Sequence, residues 1–151
     1  MLISRQAALT GGFTDTLWKA IQHALDLNHP DTVLYYLEKW LVVWPAPERQ
    51  ALACLKTALL LESVRHHREA ADLLRKGLRR EPEHPSLRSR LLSRLAFNLV
   101  QLGRPVEGLP AARAAVDLRP DQAEPRLHLG LALEAAGQDA RAVEAYRAGM
   151  E

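Results

Sequence analysis

His66 and His67 stand side by side between Arg65 and Arg68, and Cys54 is the single thiol of the chain. Histidine and cysteine are the side chains that most readily ligate metals or act as nucleophiles. Their setting argues against both uses here. Adjacent histidines on a turn point apart, so a solvated polar turn is expected rather than a metal pair. Cys54 falls where the apolar pattern calls for a large residue, which suits a small buried thiol. The chain has no HExxH, GxxxxGK or GxSxG, and one cysteine cannot make a paired-thiol metal site. No catalytic group and no cofactor are expected.

Recognition chemistry remains. Arg65, Arg68, Arg75, Lys76, Arg79, Arg80, Arg88, Arg90 and Arg94 make the middle of the chain basic. Arg68, Arg75 and Arg79 share a helix and would form a stripe toward phosphates or an acidic partner. Glu69, Asp72, Glu81 and Glu83 interleave, however, and no aromatic residue lies within the run to stack on bases. A net charge of +2 exerts no global pull on polyanions. Nucleic acid is therefore not the expected partner; a salt-bridged surface or an acidic protein contact is. Aromatic residues gather near the start, as Phe13, Trp18, Tyr35, Tyr36, Trp40 and Trp44. Trp40 is expected in the core. Tyr36 and Trp44 share a helix face off the packing positions and form a candidate interface. Alternatively, Met1 to Phe13 folds back over them as a cap.

The elements that must position these side chains are written in a repeat. Leu95, Ala96, Leu99, Gly103 and Ala112 recur as Leu129, Gly130, Leu133, Gly137 and Tyr146, each 34 residues on. That period belongs to stacked helix–turn–helix units, none of which buries its apolar face alone. Apolar spacing, glycines and prolines place eight helices at about 14–27, 30–44, 48–63, 67–81, 86–102, 105–118, 122–136 and 139–150. Two turns lack glycine. Arg65 stands where one would be, and Asn28-His29-Pro30-Asp31 supplies the other. Gly108 and Pro110 fall inside the sixth helix, and an interior Pro costs about 3 kcal/mol relative to Ala. A late start or a kink is expected there.

Arg126-x-x-Leu129-Gly130-x-x-Leu133 followed by Ala142-x-x-x-Tyr146 resembles the tetratricopeptide repeat (TPR) family. In that pattern Gly130 and Ala142 let two helices approach closely, and Tyr146 fills the gap beside them. The resemblance is strong in the last two units and loose in the first two. It implies an all-α, right-handed α-solenoid of about four units, near 14–47, 51–84, 89–122 and 123–151, after an N-terminal lead or cap at 1–13.

For function, the resemblance implies a non-enzymatic adaptor or scaffold holding a peptide or amphipathic helix of another protein in a concave groove. The matching positions give a floor of Trp18, Leu55, Leu59, Phe97, Leu127 and Leu131, with Gln22, Arg90 and Arg94 beside it. Such an apolar surface suits an amphipathic helix or an extended apolar segment. The alternative is that these residues are core. Some TPR proteins hold a partner's C-terminal carboxylate with Lys, Asn and Arg. Arg90 and Arg94 match two basic members of that set, but Trp18, Gln22 and Lys56 replace the others, so the full clamp is absent. A secretion-type chaperone shielding an apolar client, or an anionic polymer bound through 65–94, are the rival readings. The last unit is expected to expose Leu129, Leu133, Val143 or Met150, which would suit a homo-oligomer or a continuing chain. The short apolar run Trp40–Trp44 ends at Pro45 and cannot span a bilayer. With a lone cysteine and no signal-like start, a cytoplasmic protein is expected, unless the chain is a fragment of a longer exported or membrane-anchored one.

Overall fold

The computed structural model describes residues 12–43 and 46–151. Within them lie helices α1 (Gly12–Asp26), α2 (Pro30–Val43), α3 (Pro47–Ser63), α4 (His67–Arg79), α5 (Pro85–Gln101), α6 (Pro105–Leu118), α7 (Ala123–Ala135) and α8 (Asp139–Met150), and no strand. Their bounds fall within about two residues of those expected, the usual uncertainty of a helix end. Gly12 and Phe13 belong to α1 rather than to a separate lead. Whether earlier residues cap the fold concerns residues outside those described.

Each helix packs on the next, and the odd-numbered helices also touch one another in a row. The odd helices therefore form one layer and the even helices a second, as in an all-α repeat solenoid. Proline at the first position starts α2, α3, α5 and α6, where its missing N–H costs nothing.

One hydrogen-bonding device closes all four helix pairs. The amides of His29, His66, Arg104 and Gln138 donate to the carbonyls of Ala24, Leu61, Leu99 and Leu133 at 2.8–2.9 Å. The residues just before them, Asn28, Arg65, Gly103 and Gly137, have φ of 58°, 66°, 74° and 80°. This is the Schellman arrangement, which needs a left-handed residue at its centre. Arg65 thus performs a glycine's task, at a cost of about 1–2 kcal/mol for an L-residue. Asn28 tolerates the same conformation better.

The core divides in two. The larger part runs from α1 to α5 and is built on Ile21, Leu37, Leu61, Leu74 and Leu91. The smaller part, in α5–α8, is mostly alanine: Ala96, Ala112, Ala132 and Ala142 with Leu109 and Leu133. Small residues here bring helices close together. A β-carbon on Gly108 would sit 3.2 Å from the Ala96 carbonyl oxygen, so this glycine is a contact point between α5 and α6. The late start expected of α6 is not found: the helix begins at Pro105 and runs through Pro110. Pro110 lies on the exposed face, where water can satisfy the carbonyl it leaves free. Cys54 is buried, and burial pushes its thiol pKa up to about 11, which keeps it protonated.

Candidate interaction surface

The odd helices carry the residues expected to line a groove, and the structure sorts them unevenly. Leu55 is 1% exposed and belongs to the core, not to a floor. The reason is its central position: α3 is flanked by α1, α2, α4 and α5, which leaves this face of the helix enclosed. Leu59 and Trp18 are half-buried against the same core, with the Trp18 and Trp40 rings 5.6 Å apart. Phe97 is half-buried, and Gln22 and Arg90 are exposed. Leu127 and Leu131 remain 38% and 36% exposed, and Leu52 on α3, absent from the expected floor, is 39% exposed. Leu127 also reaches sideways, its Cδ2 lying 3.2 Å from where a β-carbon on Gly149 of α8 would stand.

Between these apolar positions runs a polar network that sequence reasoning did not anticipate. Asn98, fully buried on α5, donates from Nδ2 to Glu62 Oε1 of α3 at 2.6 Å and to the Arg94 carbonyl at 2.8 Å. Its Oδ1 accepts a hydrogen bond from His67 Nδ1 of α4 at 2.9 Å. The Arg94 guanidinium lies 3.5 Å from Glu62 and 3.5 Å from Glu124 of α7. Ser93 and His128 are joined at 2.5 Å. The Phe97 ring sits among His67, Arg94 and His128, at 6.1, 5.8 and 5.6 Å. A lone hint existed: Asn98 interrupts the apolar run Leu95-Ala96-Phe97-Asn98-Leu99-Val100.

Burial governs the electrostatics of this network. It raises the Glu62 carboxyl pKa, against the pull of Arg94, Asn98 and His67, while Glu124 adds to the rise. It lowers that of His128, with Arg94 acting in the same direction and Glu124 and Ser93 opposing. His128 is therefore a neutral imidazole at neutral pH. Chemically the network is a set of struts joining α3, α4, α5 and α7, with its charges already committed to one another.

Two hollows flank Arg90. The first, about 100 Å³, lies between α5 and α7 and is lined by Ser86, Ser89, Arg90, Ser93, Gln122, Glu124, Pro125 and Arg119, the last paired with Asp121 at 3.9 Å. The second, about 320 Å³ and more apolar, lies between α3 and α5 over Leu52, Leu87 and His84, and again includes Ser86 and Arg90.

No protein-family model matches the chain, and no curated protein sequence does. Solved structures do match. A segment of MamA from Desulfovibrio magneticus RS-1 superposes with a TM-score of 0.66 at 21% identity, over 89% of this chain and 72% of that one. A further MamA crystal structure gives 0.65 at 18% identity, over 90% and 75%. YrrB, described as a TPR protein with an unusual peptide-binding site, gives 0.62 at 24% identity, over 85% of this chain and 63% of that one. The chain has the TPR fold.

Seen as a TPR fold, several further expectations change. Tyr36 is half-buried and packs against the core, while its neighbour Tyr35 is exposed, with Lys39 Nζ 5.2 Å above its ring. Tyr35 and Tyr36 are neighbours on α2, and only one of two adjacent side chains can face inward. Trp44 lies outside the described residues. Leu133 is buried against Ala96 and Leu109 of the preceding pair, because the α7 face carrying it docks on α5 and α6. Val143 and Met150 are exposed. His66 and His67 are not simply solvated: His66 Nε2 donates to Asn28 Oδ1 at 2.7 Å and ties the second TPR turn to the first. The basic stretch is partly neutralised, since Arg75 pairs with Asp72 at 3.8 Å and Lys76 with Glu38. Among the described residues no helix is long and apolar enough to cross a membrane.

Proposed function

We propose that this chain is a non-enzymatic protein-interaction module that holds a segment of another protein, an amphipathic helix or an extended apolar stretch, on its inner layer of helices. The observation that carries this reading is the exposure of Leu52, Leu127 and Leu131, 36–39% each, on odd helices whose other large apolar residues are buried or half-buried. Half-buried Trp18, Leu59 and Phe97 continue the row. Apolar groups left in water along one face are a common mark of a binding surface, and helices or strands of a partner lie readily on such a face. The peptide-binding site named for YrrB, a protein of the same fold, supports the reading. The contact set is Trp18, Gln22, Leu59, Arg90, Arg94, Phe97, Leu127 and Leu131, with Leu52 taking the place of Leu55.

The test is affinity capture with the purified chain and with the double variant Leu52→Glu, Leu131→Glu. Both positions are exposed, so helicity and Tm should be retained. Proteins held by the parent chain should be lost from the variant. Capture of an identical set by both would place the interaction elsewhere and defeat the proposal.

A further inference from the structure

Arg90, between two hollows of the inner face, is an uncommitted charge. Among the described residues it has no carboxylate partner, while the acids that line its two hollows are engaged. Glu48 accepts the backbone N–H of Glu83, and Glu124 faces Arg94 at 3.5 Å. Ser86, one helical turn before Arg90, lines the same two hollows. A surface whose carboxylates are occupied and whose central guanidinium is free is complementary to an anion. The adjoining hollow is more apolar, with Leu52 and Leu87 lining it among Glu48, Arg49 and His84.

We propose that this inner edge selects an extended peptide carrying a side-chain carboxylate and a large apolar residue two positions apart. The carboxylate of Asp or Glu sits between α5 and α7 against Arg90 and Ser86. The apolar side chain sits between α3 and α5 over Leu52 and Leu87. In an extended strand, residues two apart point to the same side and stand about 6.8 Å from one another. Packed helices lie about 8–10 Å apart, so side chains at that spacing reach two neighbouring inter-helix hollows. The proposal rests on the peptide-binding reading above and adds the chemistry of the peptide.

A random heptapeptide bead library, acetylated and amidated so that it bears no terminal charge, tests it with the whole chain as probe. The expected result is enrichment of Asp or Glu two positions from Leu, Ile, Phe or Met. Arg90→Glu should weaken the selected peptides about fivefold or more and shift selection at the acidic position to Lys or Arg, with the apolar preference intact. Leu52→Glu should erase the apolar preference and leave the acidic one. Enriched peptides without an acidic residue, or unchanged selection by Arg90→Glu, would overturn the proposal while leaving peptide binding itself standing. A parallel library with free C-termini identifies the source of the carboxylate: binding confined to that library would point to a chain terminus and overturn the side-chain assignment. Beads bare in both libraries would remove the underlying peptide-binding reading as well.

Discussion

The ring of Tyr146 lies across the bare backbone of Gly130, so close that a β-carbon at position 130 would stand 2.5 Å from Tyr146 Cε1 and 2.6 Å from Cδ1. The Tyr146 hydroxyl donates to Glu134 Oε2 at 2.7 Å, which fixes the ring over the glycine. Residues on two different helices thus share one contact, and it sets how closely α7 and α8 approach. Gly130→Leu should destabilise the chain by about 1–3 kcal/mol through overpacking. This holds although leucine is the better helix former by roughly 1 kcal/mol. Urea unfolding of the variant, and of a Gly130→Leu, Tyr146→Ala double variant that recovers part of the loss, checks it.

The turn at Arg65 predicts a gain. Glycine there removes left-handed strain of about 1–2 kcal/mol and returns part of it as unfolded-chain entropy. Arg65→Gly should therefore stabilise by about 0.5–1 kcal/mol. Gly137→Ala, at the equivalent turn, should destabilise by about 1 kcal/mol or more. Thermal melts of both variants compare the two directly, and equal shifts of one sign would contradict the shared geometry.

Asn98 is the junction of the inner polar network, and its removal leaves the Glu62 carboxylate and His67 short of partners in a buried setting. Asn98→Ala should cost about 2–3 kcal/mol, since a buried group that loses its hydrogen bond bears its full desolvation cost. Glu62→Gln keeps an acceptor for Asn98 and relieves the burial of a charge, so it should cost less than Asn98→Ala. Chemical denaturation of both variants at neutral pH orders them.

The pH dependence follows from His128, whose pKa is held below its ordinary value chiefly by burial. The folded state binds the proton less readily than the unfolded chain. Stability from this group is therefore complete above about pH 6.5, the unfolded value, and is lost as pH falls through the lowered folded one. A Tm profile from pH 7.5 to 5 should decline for the parent chain and decline less for His128→Gln. Glu62, raised instead, acts in the opposite sense at lower pH: acidification protonates it sooner in the fold than in the unfolded chain.

Much of the architecture was readable because helix ends and helix faces are local properties. The interval between Leu95 and Leu129, the prolines at helix starts and the turn residues Gly103 and Gly137 each act within a few positions of themselves. Arg65 shows the limit: its place in the repeat was legible, but not that an arginine would adopt the glycine's conformation there. The binding face was harder to read for a different reason. Leu55 and Leu59 are one turn apart on α3, and which of them meets water depends on how tightly α1 and α5 close around it. Asn98, Glu62 and His67 come from three helices, so no spacing within any one of them announces their meeting. Tyr35 and Tyr36 differ by a single residue, and helix rotation alone decides which faces the core.

The central claim is that the inner layer of odd helices, and not the outer layer, receives a partner. Backbone amide shifts of the isotopically labelled chain, followed while a captured partner segment is titrated in, test it most directly. Perturbations should concentrate on α3, α5 and α7 around Leu52, Leu59, Arg90, Phe97 and Leu131, and all be absent in the Leu52→Glu, Leu131→Glu variant. Perturbations confined to α2, α4, α6 and α8 would contradict it.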